Sequence, residues 1–334
     1  MRTEQADPLI SVRDLRIEFA MGSGRSVKAL DGVSFDVRPG ETLGIIGESG
    51  SGKTTLGRAL VSLVHPTAGS VMHEGRSLTT LGARDFRRMR RDYQIIFQDP
   101  HAALNPRRTI LASVMEPMEI LGEADRGTRV RVALDMMERV GLSPEMAERF
   151  PHQLSGGQKQ RVNIARALTL QPKVIVCDEV VAALDVSIRG SVLNLFAELQ
   201  QSHDLTYVFI THDISVVSHI SDRIGVAYLG KLVELGPAED VIERPVHPYT
   251  KALLSAEPMP LPSSRRSSQR IRLQGEVPSP ISPPSGCRFR TRCPAARPEC
   301  AETVPVWREI RSGHWGACHF ATAAGPPAFP NSDH

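Results

Sequence analysis

Gly47-Glu48-Ser49-Gly50-Ser51-Gly52-Lys53-Thr54-Thr55 fits G-x-x-x-x-G-K-[ST], and its flanks decide the fold. Glycines let the backbone wrap a polyphosphate so that successive N–H groups point inward. Lys53 places a charge on the β- and γ-phosphates, and the Thr54 hydroxyl can ligate Mg2+. Thr42-Leu43-Gly44-Ile45-Ile46, just before the loop, reads as a short buried strand. Leu56, Ala59, Leu60, Leu63 and Val64 recur after it at helical spacing. Strand, loop and helix N-terminus put the anion at the positive end of a helix dipole. The stretch from Gly47 to Thr55 is therefore the expected cradle of a nucleoside triphosphate.

The chain has 334 residues, which suggests more than one domain or one large α/β domain with an appendage. Hydrophobic residues make up 41%, enough for a sizeable core. The net charge of +3 gives no strong polyanion-binding character, so no nucleic-acid partner is expected. There is no apolar run of about 18 residues to span a membrane. Met1 to Asp7 is polar and lacks the apolar centre of a signal peptide, so a cytoplasmic chain is expected. In that reducing setting, five cysteines point to metal or spare thiols over disulfides.

Leu9 to Phe19 and Val33 to Val37 read as two antiparallel strands, joined through the flexible Met21–Arg25 loop. Phe19 ends the first strand, and its ring is either an adenine-stacking surface or a core or edge residue. Arg84 to Arg91 holds five arginines and reads as a solvated helix face. Ile95-Ile96-Phe97 is a short strand ending at Gln98, whose amide can reach Mg2+ or an attacking water. From about Leu104 to Phe150 the chain is helical, with Val130, Leu134, Met136, Met137 and Val140 as its buried stripe. Leu154-Ser155-Gly156-Gly157-Gln158 then opens another helix, with Ser155 at the N-cap. Its glycines and hydroxyl make a second anion site. One nucleotide does not need both sites on one chain, but two facing copies would use both.

This pair of motifs resembles the ATPase subunit of an ABC transporter, in which Leu154–Gln158 is the signature sequence. The resemblance covers roughly residues 9 to 258 and implies a head-to-tail dimer with two sandwiched ATPs. Each ATP would lie between one phosphate loop and the partner's Ser155, Gly156, Gly157 and Gln158. Lys173 to Glu179 is an apolar strand ending in two acids, where ligands bind in a parallel sheet. Asp178 is placed to hold Mg2+, and Glu179 to polarise the attacking water. Cys177 reads as a small, inert core residue. A proline and a small hydroxyl residue usually follow the glutamate in this family, whereas here Val180 and Val181 do. The usual Ser-Ala-Leu-Asp is Ala182-Ala183-Leu184-Asp185, so a hydroxyl that could bond across the dimer is absent. Thr206 to Thr211 is a further buried strand, one helix (Val186 to Gln201) after the acidic strand. The resemblance makes His212, at its end, the switch histidine that contacts the γ-phosphate. Ile224 to Leu229 and Lys231 to Leu235 form a hairpin around Gly230.

Pro258 to Pro284 is rich in Pro, Ser and Arg and reads as linker. Cys287, Cys293, Cys300 and Cys318 follow, spaced C-x5-C-x6-C-x17-C. Clustered thiolates in a cytosolic chain bind metal, and all-Cys ligation suits a [4Fe–4S] cluster as well as Zn2+. His314 and His319 are possible replacement ligands, though histidines more often stay solvated. This tail and Pro245–Lys251 are similar to the oligopeptide/dipeptide/nickel import branch, some of whose members carry such a cluster.

The expected fold is an α/β P-loop NTPase of the ABC type, with an antiparallel β subdomain, a helical insertion and a small Cys-rich C-terminal tail. Residues 1–257 form the cassette, with the insertion at about 99–170; 258–284 form the linker and 285–334 the tail. The resemblance implies two transmembrane permease subunits as partners, with an identical or paralogous ATPase subunit. An extracytoplasmic solute-binding protein acts indirectly, and the chain sits at the cytoplasmic face of the inner membrane. Two other classes compete. A soluble ABC ATPase acting on DNA or ribosomes usually has two cassettes or a long coiled coil, and neither an internal repeat nor sustained heptads occur here. A non-hydrolysing regulatory cassette is kept open by Val180–Ala182.

Overall fold

A computed structural model describes residues 7–22, 24–182, 184, 186–256 and 271–329. Ala183, Asp185 and residues 258–270 of the linker, Ser263–Ser268 included, lie outside the described residues. β1 (Ile10–Ala20) and β2 (Ser26–Val37) pair antiparallel from Ile10↔Val37 to Ala20↔Ser26. Ile10, Val12, Leu15 and Ile17 are buried while their neighbours face outward, the alternation of a half-buried strand. The sequence places the start of the second strand at Val33. It starts at Ser26, because the half-buried outer part of β2 is held by pairing with Glu18, Phe19 and Ala20.

β3 (Thr42–Ile46) is wholly buried and runs through the phosphate loop into α1 (Lys53–Leu60). β4 (Ala68–His73) and β5 (Arg76–Ser77) return to the first sheet, whose order is β2-β1-β4-β5. α2 (Ala83–Asp92) keeps all five arginines exposed and buries Met89. β6 (Tyr93–Ile96) leads into the helical insertion: α3 (Ile110–Leu121), α4 (Arg126–Arg139) and α5 (Gly156–Leu168). Met136, Met137 and Val140 are buried there, and Val130 and Leu134 pack against the same cluster. β7 (Val174–Asp178), α6 (Val186–His203), β8 (Thr206–Ile210) and α7 (Ile214–Ile220) complete the β-α-β order. The hairpin is β9 (Arg223–Tyr228) with β10 (Lys231–Pro237), followed by α8 (Ala238–Glu243) and α9 (Pro248–Ala256).

The tail adds α10 (Glu299–Glu302), β11 (Arg308–Arg311) and β12 (His314–Gly316). β12 pairs with β10 at Glu234↔Gly316 and Leu235↔Trp315, so the tail extends the main sheet. That sheet runs β11-β12-β10-β9-β3-β8-β7-β6, parallel from β9 to β6. β3, β7 and β8 are covered on both faces, which is why they read as unbroken apolar runs. Their carboxyl ends deliver the phosphate loop, Asp178–Glu179 and His212 to one edge. None of the described helices is long and apolar enough to cross a membrane.

Candidate functional site

Gly47 has φ +154°, and a Cβ there would sit 2.2 Å from the Ala227 carbonyl oxygen. Gly52 has φ +98° and a virtual Cβ 2.4 Å from the Ala29 oxygen. Both positions therefore demand glycine. Gly52 is also the N-cap of α1 and supplies no side-chain cap, so the first N–H groups of the helix stay available to an anion. The Ser51 hydroxyl is buried without a partner in the same turn. Lys53 is buried, and its ammonium donates to the carbonyls of Gly47 (2.8 Å) and Glu48 (3.0 Å). Burial pulls its pKa down, against the opposing pull of Glu179 and Asp178. Glu48, Ser49, Gly50 and Thr55 complete the loop, with Ser49 and Gly50 at the surface.

The Thr54 hydroxyl donates to Asp178 Oδ1 at 3.1 Å. Burial raises the Asp178 pKa, and neighbouring Glu179 raises it further. Glu179 has φ +50°, a left-handed conformation costing a non-glycine residue about 1–2 kcal/mol. Its N–H donates to the Ile210 carbonyl, and its carboxylate is 17% exposed. Gln98 Nε2 donates to Glu179 Oε2 at 2.6 Å, and His212 Nδ1 stands 3.3 Å from Oε1. Three residues read separately in the sequence thus meet at one carboxylate. A cleft of about 690 Å3 opens beside them, lined by Thr54, Gln98, Asp178, Arg58 and Asn163 among others.

Ser155 caps α5 by accepting from Gln158 N–H at 3.3 Å, while Gln158 Oε1 accepts from Ser155 N–H at 2.9 Å. This capping box fixes the helix start and leaves the exposed Ser155 hydroxyl free to donate. A Cβ at Gly156 would meet open space, whereas Gly157 is buried. Phe19 stands 44% exposed near the end of β1. Val180 and Val181 are buried in the cluster shared with the helical insertion, so they pack where the family pattern has proline and hydroxyl. Cys177 is fully buried, and burial raises its pKa well above the ordinary thiol value.

The tail's four cysteines line one cavity of about 10 Å3, and Cys287 N–H donates to the Cys300 carbonyl at 2.8 Å. All four are free thiols. Burial pushes Cys287 up to about 11 and Cys293 up to about 12, so both stay protonated at neutral pH. Among the described residues no group of three or more His, Cys, Asp or Glu side chains is placed to hold a metal ion. The four thiols therefore fit a metal in kind and proximity but not in arrangement, and the expected [4Fe–4S] or zinc site is not supported. Nor is His314 solvated: it is fully buried, with Nε2 2.8 Å from Glu234 Oε1. His319 Nε2 lies 3.1 Å from the Thr303 carbonyl.

Two contacts at the loop carry no local sequence signal. Tyr249 Oη accepts from Glu48 N–H at 2.9 Å. Arg292, from the tail, donates to both Glu48 carboxylate oxygens, at 2.6 and 3.0 Å. Only the packing of α9 and the tail against the main sheet brings them there.

Residues 30–182 match the family described as "ABC transporter", and residues 233–300 match "Oligopeptide/dipeptide transporter, C-terminal region". The oligopeptide transport ATP-binding protein AppF of Bacillus subtilis is 46% identical over 326 residues, covering 96% of this chain and 99% of that protein. The oligopeptide transport ATP-binding protein OppF of Salmonella typhimurium is 50% identical over 315 residues, with 91% and 93% coverage. Among solved structures, a dimeric bacterial ABC transporter cassette superposes with TM-score 0.63 at 31% identity, covering 69% of this chain and 98% of that one. The chain belongs to the ATP-binding subunits of ABC transporters, which are ATPases coupled to transport.

Proposed function

We propose that this chain hydrolyses ATP to energise uptake of peptides or a similar solute, working at the cytoplasmic face of the inner membrane. The observation that carries the hydrolytic reading is the meeting of Gln98 and His212 on the Glu179 carboxylate. Glu179 polarises the attacking water, His212 contacts the γ-phosphate, and Lys53 with the loop amides holds the phosphates. Thr54, Gln98 and Asp178 would hold Mg2+, which neutralises phosphate charge when bound. The buried, poorly compensated Asp178 beside Thr54 supports that fit, because a divalent cation relieves the burial that raises its pKa. Phe19 stacks on the base from its exposed position.

Ser155, Gly156, Gly157 and Gln158 serve the ATP held by a facing copy, identical or paralogous. The exposed Ser155 hydroxyl, open to donate, and the dimeric relative in the solved structures support this. Peptide uptake is supported by the relatives' names and the C-terminal family match. It implies two permease subunits and, through them, a solute-binding protein. We read residues 1–257 as the cassette, with its helical insertion at about 99–170, 258–284 as linker and 285–334 as the tail. In Glu179→Gln, ATP binding should persist, turnover should fall by at least about 100-fold, and a closed dimer should accumulate. A fully active mutant refutes the role of Glu179.

A second reading concerns the tail. Four thiols lining one small cavity are the ground for proposing a bound metal there, zinc or [4Fe–4S], although no metal-holding group is assembled among the described residues. Binding would displace the thiol protons and draw the ligands together, so site assembly and local ordering would be one event.

A further inference from the structure

We propose that Arg292 is a positioning residue for the phosphate loop: the C-terminal tail brings its guanidinium onto Glu48, and tail docking is thereby coupled to nucleotide binding. This rests on the reading that the loop binds ATP. Glu48 is held from three sides. Its N–H donates to Tyr249 Oη, its carbonyl accepts from Lys53, and its carboxylate takes both prongs of Arg292. The Arg292 side chain is 9% exposed and Glu48 27%, so the pair is largely shielded from water. A planar fork on a carboxylate fixes orientation as well as distance, which a lysine cannot reproduce.

The tail segment that carries Arg292 is itself anchored. Phe289 is 1% exposed and packs edge-on to Tyr228, with ring centroids 5.3 Å apart, and against Tyr249 at 5.4 Å. Arg288 donates to the Leu229 carbonyl and pairs with Asp31. The Arg292 guanidinium lies 6.0 Å from the centroid of the Tyr228 ring. Tyr249 thus touches the loop and the tail at once, and Arg292 closes the circuit from the tail side.

The charge at Glu48 gives the contact a direction. A carboxylate in a turn that cradles a polyphosphate repels its ligand, and Arg292 cancels that charge. Removing Arg292 uncovers the carboxylate and takes away one of the three holds on the turn. Loss of a shielded, charge-assisted pair is expected to weaken nucleotide binding about tenfold. By linkage, to the extent that tail docking strengthens nucleotide binding, nucleotide binding strengthens tail docking.

The test uses the full chain and a non-hydrolysable ATP analogue with Mg2+, read by equilibrium titration and by hydrogen exchange across residues 287–293. Arg292→Ala should bind about tenfold more weakly and Arg292→Lys to an intermediate degree. Adding Glu48→Gln to Arg292→Ala should recover part of the loss, because the exposed charge is gone. Turnover at saturating ATP should change less than the apparent affinity. Nucleotide should slow exchange at 287–293 in the wild type and not in Arg292→Ala. Equal affinity in Arg292→Ala overturns the proposal, as does a loss that Glu48→Gln does not relieve. A wild-type chain that binds no nucleotide would fail the phosphate-loop reading itself.

Discussion

Phe289→Ala tests whether the tail is an appendage or part of the cassette's core. Phe289 is 1% exposed and shares a hydrophobic cluster with Ile46, Val226, Tyr228 and Tyr249. A buried phenylalanine removes about 200 Å2 of surface from water, worth up to about 5 kcal/mol at 25 cal/mol per Å2. Truncations of this kind cost about 3–5 kcal/mol, since the cavity collapses only in part. Edge-to-face contact with Tyr228 is lost as well, at about 1 kcal/mol, but that is already within the measured range. If tail opening is independent of global unfolding, its exchange protection should fall by at least about 100-fold, at 1.4 kcal/mol per tenfold. Hydrogen exchange across residues 286–300 measures this directly, with Phe289→Leu as the milder comparison. Urea unfolding of the whole chain should shift to a lower midpoint in the same order. Unchanged protection in Phe289→Ala would refute the claim that this ring joins tail to cassette.

A Ser155→Arg chain mixed with a Lys53→Ala chain should regain turnover that neither homodimer has, since one composite site keeps both intact halves; a mixture as inactive as its components argues against the sandwich. His247 is fully buried, and burial holds its pKa down at about 3, so the unfolded chain binds the extra proton between pH 3 and the ordinary value near 6.5. Stability from this group is complete above about pH 6.5 and is lost as pH falls towards 3, by about 1.4 kcal/mol per unit; urea midpoints at successive pH values should show a flatter slope in His247→Gln. If the tail holds a [4Fe–4S] cluster, anaerobically purified protein should be brown, and Cys287→Ser, Cys293→Ser, Cys300→Ser or Cys318→Ser should lose the colour and expose the tail to protease. Colourless protein with one zinc per chain decides for zinc, and a metal-free wild type removes the metal reading.

The residues gathered at the candidate nucleotide site were legible as motifs because their chemistry fixes spacing within short stretches. Gly47 and Gly52 are demanded by backbone geometry, and β3, β7 and β8 announce themselves as apolar runs because both of their faces are covered. Even the meeting of Gln98, Glu179 and His212 follows from strand ends in a parallel sheet, where separate stretches must converge on one edge. What failed to show was pairing between distant segments without a pattern of their own. Ser26 to Ala29 alternate too briefly and are only half-buried, and their ladder to the end of β1 makes them a strand. β12 is short, and its partner in β10 lies some eighty residues earlier, so nothing local sets its register.

The tail shows why composition misleads at such junctions. Its Pro and Arg content reads as a segment unable to bury a core, so that a metal would be needed to order it. Yet Phe289 borrows the aromatic core of the cassette, and β12 borrows an open edge of its sheet. Glu234 makes the join specific. It is fully buried, and accepts from the N–H groups of Val246 and His247 while facing His314 Nε2 across the sheet. A buried carboxylate left without such partners costs several kcal/mol, so the cassette carries a group that is satisfied in full only when the tail is docked. The same logic applies at Glu48, where the partner again comes from the tail. Two acids of the cassette, one under the sheet edge and one in the phosphate loop, thus find polar partners in the last fifty residues. The tail belongs to the energetics of the nucleotide site whether or not it holds a metal.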